Sequence, residues 1–456
     1  MDNKKKYTSV IVGAGPSGIA AAYLLTERGK NIALYEKDGS VGGLSKTVKH
    51  GDFLFDLGGH RLFSKDQKVI RWWQDILGEN LTITPRRSNI LLNGKFLRYP
   101  LRPLEVLRYV GARKALSIIF DYLISKASGT AHQDNFETFM SRRFGKKLYR
   151  IFFKSYSEKV WGISCSELSS EWAKERIGGL SLSEVLKDSF LNNGKTLHAS
   201  LARKFFYPKY GIGSLFETAC EKIKERGAEI FLENRLISVS HKDGMVTSLV
   251  FSIPGERTRE VRADSYIFSI PLNRLIRLLN PPAPINTTAA ADSLRFRSLI
   301  IVDLILDKAY LSDSQWIYIH SEQLKLARIQ NYKNWSPYMV PDARKSSLGL
   351  EYFCNENDPF WTMKDSEISD IAKNELASTG LARADEIDDA IVTRIADAYP
   401  IYSGNYQNEV SELLCYLKSI KNMKTIGRQG TFKYMHIDGA IISGFEAAEE
   451  AIRQSS

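Results

Sequence analysis

The sequence predicts an α/β fold that opens with a Rossmann-like βαβ unit, and its first 36 residues supply the observations that predict it. The short stretch 8–12 is apolar and β-branched, and 31–36 has a similar character, so both are predicted as strands. Between them, a glycine-rich turn leads into the Ala- and Leu-rich stretch 19–28, which ends at Gly29 as a helix C-cap. A chain of 456 residues is long enough for two or three domains.

The glycine turn has the spacing Gly13-x-Gly15-x-x-Gly18. Gly13 permits the tight turn, Gly15 lets backbone amides approach a pyrophosphate, and Gly18 lets the helix pack closely on the strand. Glu36 ends the second strand, 23 residues after Gly13, where a carboxylate can accept hydrogen bonds from the adenosine ribose hydroxyls. Because strand, helix and acid all stand at the required positions, the turn indicates a bound dinucleotide rather than a glycine turn without a ligand.

The rest of the chain alternates between strand-like and helix-like segments. A hairpin turn at Asn93-Gly94 joins two strand-like runs, and helical spacing of apolar residues extends from 104 to about 191. Strand patterns return at 229–270 and 299–350, separated by a proline-punctuated boundary at 271–284. We therefore predict a dinucleotide-binding domain in three parts (1–85, 198–275 and 390–456), a helical insert (100–197) and an antiparallel sheet domain for the substrate (86–99 and 276–389).

The composition is that of an ordinary globular protein. With 43% hydrophobic and 25% charged residues, the chain is neither disordered nor fibrous. It has 63 Lys and Arg against 52 Asp and Glu, which gives a net charge of +11 at pH 7. This excess leaves three classes of anionic partner: nucleic acid, an anionic membrane surface or a polyanionic small substrate.

Cysteine spacing and the length of apolar runs bear on the compartment. The four cysteines form no C-x-x-C pair, so we expect reduced structural thiols and no metal site. The first apolar run, 10–13, is too short for a signal-peptide core, and no later segment reaches the roughly 18 apolar residues of a membrane span. We therefore expect a cytoplasmic protein without stable membrane insertion.

The strongest candidate for a nucleic-acid or membrane-binding surface is the stretch that runs from Arg102 to Lys126. Its charges include Glu105 and Asp121, so the positive charge is interrupted by acids. Packing within a helical domain explains its apolar residues better, and we expect no nucleic-acid partner.

Further glycine motifs follow the nucleotide-binding turn in a characteristic order. They are Glu36-x(5)-Gly42-Gly43-Leu44, then Gly58-Gly59-His60, and near the C-terminus Gly427-Arg428-x-Gly430 followed by Asp438. Their combination resembles the FAD-dependent amine oxidase and protoporphyrinogen oxidase-like superfamily. The resemblance implies a GR2-type FAD-binding domain, in which these glycines and the closing Arg428 and Asp438 hold the flavin side of FAD.

Within that superfamily the chain resembles the UDP-galactopyranose mutases, in particular the eukaryotic-type branch and bacterial relatives. The stretches that carry the resemblance are 53–64, 94–100, 156–162, 171–176, 328–337, Tyr399-Pro400 and 427–434. They occur in the family's order and span nearly the whole chain.

The family's substrate is a nucleotide-diphosphate sugar, so the resemblance implies a site that neutralises a diphosphate beside a flavin. Arg176 and Arg328 resemble the two arginines of the diphosphate clamp, and a guanidinium fork suits two phosphate oxygens. Tyr399 and Tyr434 resemble the tyrosines that complete the clamp. His60 follows a glycine pair beside the flavin, which implies that it contacts the cofactor.

The family's reaction involves no net redox change. The flavin must be reduced, with NADPH or NADH as the expected reductant, and the sugar is isomerised between pyranose and furanose through an adduct with the reduced flavin. No pair of catalytic carboxylates is needed. The resemblance thus implies an isomerase that supplies surface-polysaccharide synthesis.

Departures from the family pattern concern the nucleoside pocket, where we place Tyr99, Arg102 and Trp161. The family pattern Tyr-Pro-Phe-Gln is Tyr99-Pro100-Leu101-Arg102 here, and an expected Asn is Ser157. Since a base is recognised by such stacks and hydrogen bonds, the identity of the nucleotide and that of the sugar both stay open. An FAD-dependent oxidase or desaturase of the amine oxidase or protoporphyrinogen oxidase type is the alternative function, and the oligomeric state stays unknown.

Overall fold

The computed structural model describes residues 6–99, 101, 103–127, 135–177, 204–255 and 258–454, without the side chains of 6, 103, 104, 107, 126, 127 and 175–177. It confirms the predicted class, because two large sheets and a group of helices form an α/β fold. Arg102 and residues 178–197 of the predicted insert lie outside the described residues, and so does the side chain of Arg176.

The first sheet contains the predicted βαβ unit. Its strands are β1 Lys6–Val12, β2 Ile32–Tyr35, β9 Glu229–Phe231, β10 Arg235–Lys242, β11 Met245–Ser252, β12 Arg259–Phe268, β13 Leu279–Asn280 and β19 Met423–Thr425. The order is β13-β10-β11-β12-β1-β2-β9, with β19 also paired to β12. The strands from β12 to β9 run parallel, whereas β10, β11 and β12 form an antiparallel meander.

Four helices cover one face of this sheet. They are α1 Pro16–Glu27, α2 Gln67–Leu77, α9 Gly213–Glu225 and α17 Ile437–Gln454. Helix α1 begins three residues before the predicted start, because Pro16 has no N–H to lose at the first helical position. Their apolar faces share one buried core with β1 and β2, which holds the glycine turn rigidly at the carboxyl end of β1.

The second sheet is antiparallel except where β15 pairs with β6. Its strands are β6 Ser88–Leu92, β7 Lys95–Tyr99, β14 Phe296–Leu306, β15 Trp316–Ile319, β16 Arg328–Asn331, β17 Ser346–Cys354 and β18 Ile387–Pro400, in the order β18-β14-β17-β16-β15-β6-β7. The predicted hairpin turn joins β6 to β7, with Asn93 and Gly94 both at positive φ. Helix α14 (Asp365–Ser378) packs on the outer face of this sheet.

The helical insert contains six described helices. They are α3 Pro103–Val110, α4 Ala112–Ala127, α5 Phe136–Phe144, α6 Lys146–Tyr149, α7 Ser155–Trp161 and α8 Ser170–Ile177. The expectation that the apolar residues of 102–126 pack inside the domain is wrong for much of α4. Ala115 and Ile118 are buried, but Leu116 and Phe120 are more than half exposed.

The remaining elements connect the two sheets. They are β3 Thr47–His50 with β4 Phe53–Asp56, β5 Leu81–Pro85 with β8 Lys204–Pro208, and helices α10 Leu272–Arg277, α11 Ile285–Ser293, α12 Tyr332–Trp335, α13 Pro359–Thr362, α15 Tyr406–Lys418 and α16 Gly427–Gly430. Two predicted boundaries fall short: β13 pairs in the first sheet up to Asn280, five residues beyond 275, and β18 extends in the second sheet to Pro400, eleven residues beyond 389. The prolines of 271–284 flank α10 and β13 instead of separating domains.

A buried carboxyl group joins these parts. Asp56 accepts hydrogen bonds from Thr47 Oγ1 at 2.6 Å, Tyr207 Oη at 2.5 Å and the Ile212 N–H at 3.0 Å. Burial raises the pKa of Asp56 to about 6, although these three donors oppose the shift. Within the described ranges, no helix combines the length and the apolar character needed to cross a bilayer.

Candidate active site

A cavity of about 910 Å³ lies between the two sheets and brings most of the predicted site residues together. Those that line it are Gly13, Gly15, Glu36, Gly43, Leu44, Gly59, His60, Tyr99, Arg328, Tyr399, Gly427, Arg428 and Tyr434. Of the other predicted residues in the described ranges, Gly18, Gly42, Gly58, Trp161 and Asp438 lie behind or beside the lining. The roles of Arg102 and of the Arg176 side chain stay predictions.

The glycine turn has the geometry of a dinucleotide site. A Cβ on Gly18 would lie 1.9 Å from the Gly13 carbonyl oxygen, and one on Gly13 would lie 2.3 Å from Ser269 Oγ. A Cβ on Gly15 would meet no described atom within 4 Å, so this glycine faces open space at the N-terminus of α1. Packing therefore requires glycine at positions 13 and 18, whereas Gly15 leaves room for a ligand's phosphates.

Glu36 lies at the far end of the same site. Its buried carboxylate accepts hydrogen bonds from the Ala14 N–H at 2.7 Å and the Asp38 N–H at 3.1 Å. Asn234 lines the cavity next to it, and its Oδ1 atom is buried without a hydrogen-bond partner among the described residues. These acceptors fit the ribose hydroxyls and the exocyclic amino group of an adenosine.

The glycine pairs Gly42-Gly43 and Gly58-Gly59 let their loops pack closely against neighbouring parts of the chain. Gly42 has φ +98°, and a Cβ on Gly43 would lie 3.1 Å from Gly15 Cα. A Cβ on Gly59 would lie 2.6 Å from both Gln330 Nε2 and the Trp316 ring. The backbone of this segment therefore rests directly on the second sheet, which sets the position of the residue that follows it.

That residue, His60, is neutral in the cavity. Burial, assisted by the positive charges of Arg428 and Arg328, lowers the pKa of the imidazole to about 3. Its Nδ1 atom is buried and has no hydrogen-bond partner in the described ranges. A neutral ring with an unpaired nitrogen can hydrogen-bond to a cofactor without adding charge.

Arg328 is the central charge of the cavity wall. It is 6% exposed, lies on β16 and forms an ion pair with Glu351 on the neighbouring strand β17. Its Nη2 atom donates to Tyr399 Oη at 3.4 Å, while Nε has no hydrogen-bond partner among described atoms. Burial alone would lower the pKa of Arg328, but Glu351 and Tyr399 raise it well above its usual value, so the guanidinium stays charged.

Arg428 forms a second cationic centre with two predicted tyrosines. Its guanidinium carbon lies 5.1 Å from the ring centroids of both Tyr399 and Tyr434, and the two rings are 6.3 Å apart at 15°. Its Nη2 atom donates to the Met435 carbonyl at 2.7 Å, which fixes the orientation of the guanidinium group. The resemblance placed Arg428 on the cofactor and the tyrosines on the substrate, and the structure brings all three into one cluster.

The remaining predicted residues lie around this cluster. Trp161 is buried edge-to-face against Trp172 at 5.1 Å and Tyr399 at 6.2 Å, so it supports the tyrosine from behind. Asp438 lies in the first turn of α17, where burial raises its pKa and Ser64 lies within hydrogen-bonding reach. Helix α8 carries the backbone of Arg176.

Sequence reasoning missed two kinds of residue. Glu351 and Gln330 are fully buried, and Gln330 Nε2 donates to Glu351 Oε1 at 2.5 Å, so together they hold Arg328. A lone carboxylate in the apolar strand 346–354 was the available signal, because a buried charge requires a partner. The second kind is basic: among described residues, ten Lys or Arg line the cavity, eight of them not predicted, against only three acids, which favours anionic ligands.

Comparisons with known proteins show the family and the fold of the chain. A family profile of flavin containing amine oxidoreductases matches residues 16–452. Protoporphyrinogen oxidase 2 of Arabidopsis thaliana is 24% identical over 51% of this chain and 50% of its own length. A probable UDP-galactopyranose mutase of Klebsiella pneumoniae is 28% identical over 38% of this chain and 45% of its own. The chain thus spans about half the length of these curated relatives.

Solved structures share the whole fold. A reduced UDP-galactopyranose mutase superposes with a TM-score of 0.83 at 23% identity, over 99% of this chain and 94% of that one. A putative protoporphyrinogen oxidase from Exiguobacterium sp. 255-15 has a TM-score of 0.75 at 19% identity, over the full length of both chains. The glycine turn, Glu36 and the unpaired atoms of Asn234 and His60 fit an FAD molecule. The chain belongs to the flavin containing amine oxidoreductase family, which implies an FAD cofactor.

Proposed function

We propose that this flavoprotein is a cytoplasmic pyranose–furanose mutase that isomerises a nucleotide-diphosphate sugar of the UDP-galactopyranose kind for surface-polysaccharide synthesis. The observation that carries the proposal is the cluster of Arg328, Tyr399, Arg428 and Tyr434 in the cavity that contains the glycine turn. Likeness in overall fold to a UDP-galactopyranose mutase supports the same reaction class.

The charge balance of the cluster suits a departing diphosphate. Changing the ring size of the sugar requires the bond between its anomeric carbon and the diphosphate to break and later to form again. Arg328 and Arg428 carry two positive charges and Glu351 one negative charge, so one positive charge remains for the leaving group. Charges that are already fixed in position stabilise developing anions strongly, because nothing has to reorganise as the bond breaks.

Each of the other residues has a definite task in this proposal. Reduced FAD supplies the nucleophile when it is bound, and NADPH or NADH is the proposed reductant. Gln330 and Glu351 hold Arg328 in place, and neutral His60 offers Nδ1 to the cofactor. Arg176 is proposed as the second arginine of the clamp, with Tyr99, Arg102 and Trp161 around the nucleoside.

A flavin oxidase or desaturase is the second candidate, because curated relatives include protoporphyrinogen oxidase and L-amino-acid oxidase. An amine substrate that approached the Tyr399 and Tyr434 rings would meet the guanidinium of Arg428, which lies close to both. Repulsion between two cations disfavours amine oxidation at this position. Oxidation of an uncharged planar substrate remains the alternative.

One experiment separates the two functions. The FAD-loaded protein is reduced without oxygen by dithionite or a nicotinamide and incubated with a panel of nucleotide sugars, and the products are separated by chromatography with mass detection. The proposal predicts a same-mass isomer of at least one sugar, formed only after reduction. If no panel member isomerises and the protein instead releases peroxide in air with an oxidisable substrate, the oxidase reading replaces it.

A further inference from the structure

Helix α4 presents a row of large apolar side chains to the outside of the helical insert. Leu116, Ile119, Phe120 and Leu123 are 68%, 51%, 67% and 57% exposed, and their spacing places them on one face. Together they expose on the order of 400 Å² of apolar surface, which on a single soluble protein marks an interaction site. We call this the α4 face.

The opposite side of the helix accounts for its packing. Ala115 and Ile118 are buried against the insert, and the Asp121 carboxylate accepts a hydrogen bond from the Lys147 N–H at 2.9 Å on α6. A Cβ on Gly145 would lie 2.9 Å from Asp121 Oδ2, so the corner between α5 and α6 sits directly against this side. The α4 face is therefore the outward side of a docked helix.

Positive charge borders the α4 face. Arg113 precedes Leu116 by three residues and Phe120 by seven, so it projects on the same side. The Lys147 ammonium donates to Ser117 on the flank of the helix, whereas the exposed Lys114 is turned by about 100° from Arg113, away from the face. Asp121 is the only acid in the helix, and it is directed towards α6. Apolar residues with basic neighbours match an anionic interface.

We propose that the α4 face seats reversibly on an anionic lipid bilayer, with α4 lying in the plane of the headgroups. Its 16 residues extend about 24 Å, which suits a helix lying at an interface and is too short for a span. Arg113 and Lys147 attract acidic headgroups while the four apolar side chains enter the acyl boundary. This docking is independent of the reaction in the cavity.

A second copy of the chain fits the α4 face less well. A stable interface buries about 800 Å² on each partner, roughly twice the area of this row. The row is therefore too small for a stable contact between two copies, and the basic side chains at its border favour a negatively charged partner.

Vesicle flotation of the full-length holoenzyme tests the docking. We expect the protein to float with phosphatidylcholine vesicles that contain about 30% phosphatidylglycerol, to stay behind with pure phosphatidylcholine, and to be released at about 0.5 M NaCl. The double variant Leu116→Glu/Phe120→Glu should lower the bound fraction at least about tenfold. A matched control, Ile285→Glu/Met245→Glu, also charges two exposed apolar residues and should bind as the wild type does.

A second pair of changes keeps the apolar residues and alters only the charge. Arg113→Glu/Lys147→Glu should reduce binding to the anionic vesicles at least about tenfold, and far-UV circular dichroism should confirm that both double variants fold. Failure of the wild type to float with either vesicle, or unchanged flotation of Leu116→Glu/Phe120→Glu, overturns the proposal. So does sedimentation of the wild type as an oligomer that this variant dissociates, because a second copy would then cover the face.

Discussion

Replacing Tyr399 by Phe isolates one hydroxyl of the proposed diphosphate clamp. The Tyr399 hydroxyl accepts a hydrogen bond from Arg328 at 3.4 Å, and its ring contacts Trp161 and Tyr434 at centroid distances of 6.2 and 6.3 Å. Phenylalanine retains the ring, so the packing and the contact with Arg428 stay in place. The change removes only the oxygen that can donate to a phosphate.

The size of the effect follows from the charge of the partners. A hydrogen bond to a charged group contributes about 1.5–3 kcal/mol. The long 3.4 Å contact to Arg328 leaves the hydroxyl proton free for a substrate oxygen, and we take about 2 kcal/mol for that bond. This corresponds to roughly a 30-fold loss in kcat/KM, with most of the loss in kcat if the bond strengthens as the diphosphate departs.

The assay is isomerisation by the reduced holoenzyme, with the substrate identified by the panel. The control is Tyr352→Phe, which removes the same hydroxyl from a buried tyrosine on β17. Tyr352 packs against Phe360 and does not line the cavity. The control should retain wild-type kinetics. A kcat/KM for Tyr399→Phe within about twofold of the wild type would refute the role of this hydroxyl.

Three further perturbations test the fold and the site. Gly15→Ala should fold with a wild-type thermal midpoint yet bind at least about tenfold less FAD, because its Cβ enters only the ligand space. Gly18→Ala, whose Cβ would lie 1.9 Å from a carbonyl oxygen, should instead lower the unfolding free energy by about 3 kcal/mol. Equal FAD content in Gly15→Ala and wild type would contradict this reasoning. Asp56 has a raised pKa of about 6 in the folded state, so its stabilising contribution is complete below the unfolded pKa near 4 and is lost as the pH rises through 6. In urea denaturation, the unfolding free energy of Asp56→Asn should therefore rise by up to about 3 kcal/mol relative to that of the wild type between pH 4 and pH 7. A pH-independent difference would show that Asp56 is ionised throughout. Glu351→Gln leaves Arg328 buried without its counter-charge and should lower the unfolding free energy by about 3–5 kcal/mol. Inorganic pyrophosphate should restore part of the lost thermal midpoint. An unchanged midpoint in the variant would mean that the ion pair contributes nothing to stability.

Local signals in the sequence were sufficient for the elements that begin and end within a few residues. The βαβ unit and the Asn93-Gly94 hairpin are both present, because glycine spacing and turn type depend on neighbouring residues. The domain boundaries shifted because strand pairing, and not the prolines, decides that β13 and β18 belong where they do. Such pairings join residues far apart in the chain, and a single sequence does not reveal them.

The candidate site divides in the same way. Gly13, Gly15, Gly18 and Glu36 could be predicted from spacing alone. The likeness to a family was needed for the later glycines and to select Arg328, Tyr399 and Tyr434. Glu351 escaped notice because its contact with Arg328 arises from the register of β16 and β17. The α4 face was mistaken for core because periodicity shows which side of a helix is apolar and does not show what covers it.

Cleavage of the bond between the anomeric carbon and the diphosphate is the central claim, and isotope scrambling measures it directly. The nucleotide sugar is prepared with ¹⁸O in the bridge between sugar and phosphorus and incubated with the reduced holoenzyme under nitrogen. If the bond breaks and the diphosphate is held by Arg328 and Tyr399 until it re-forms, ³¹P NMR should show the label spreading into non-bridging positions, and the oxidised enzyme should leave it in place. A label that stays in the bridge with the reduced enzyme, for every sugar of the panel, would contradict the account.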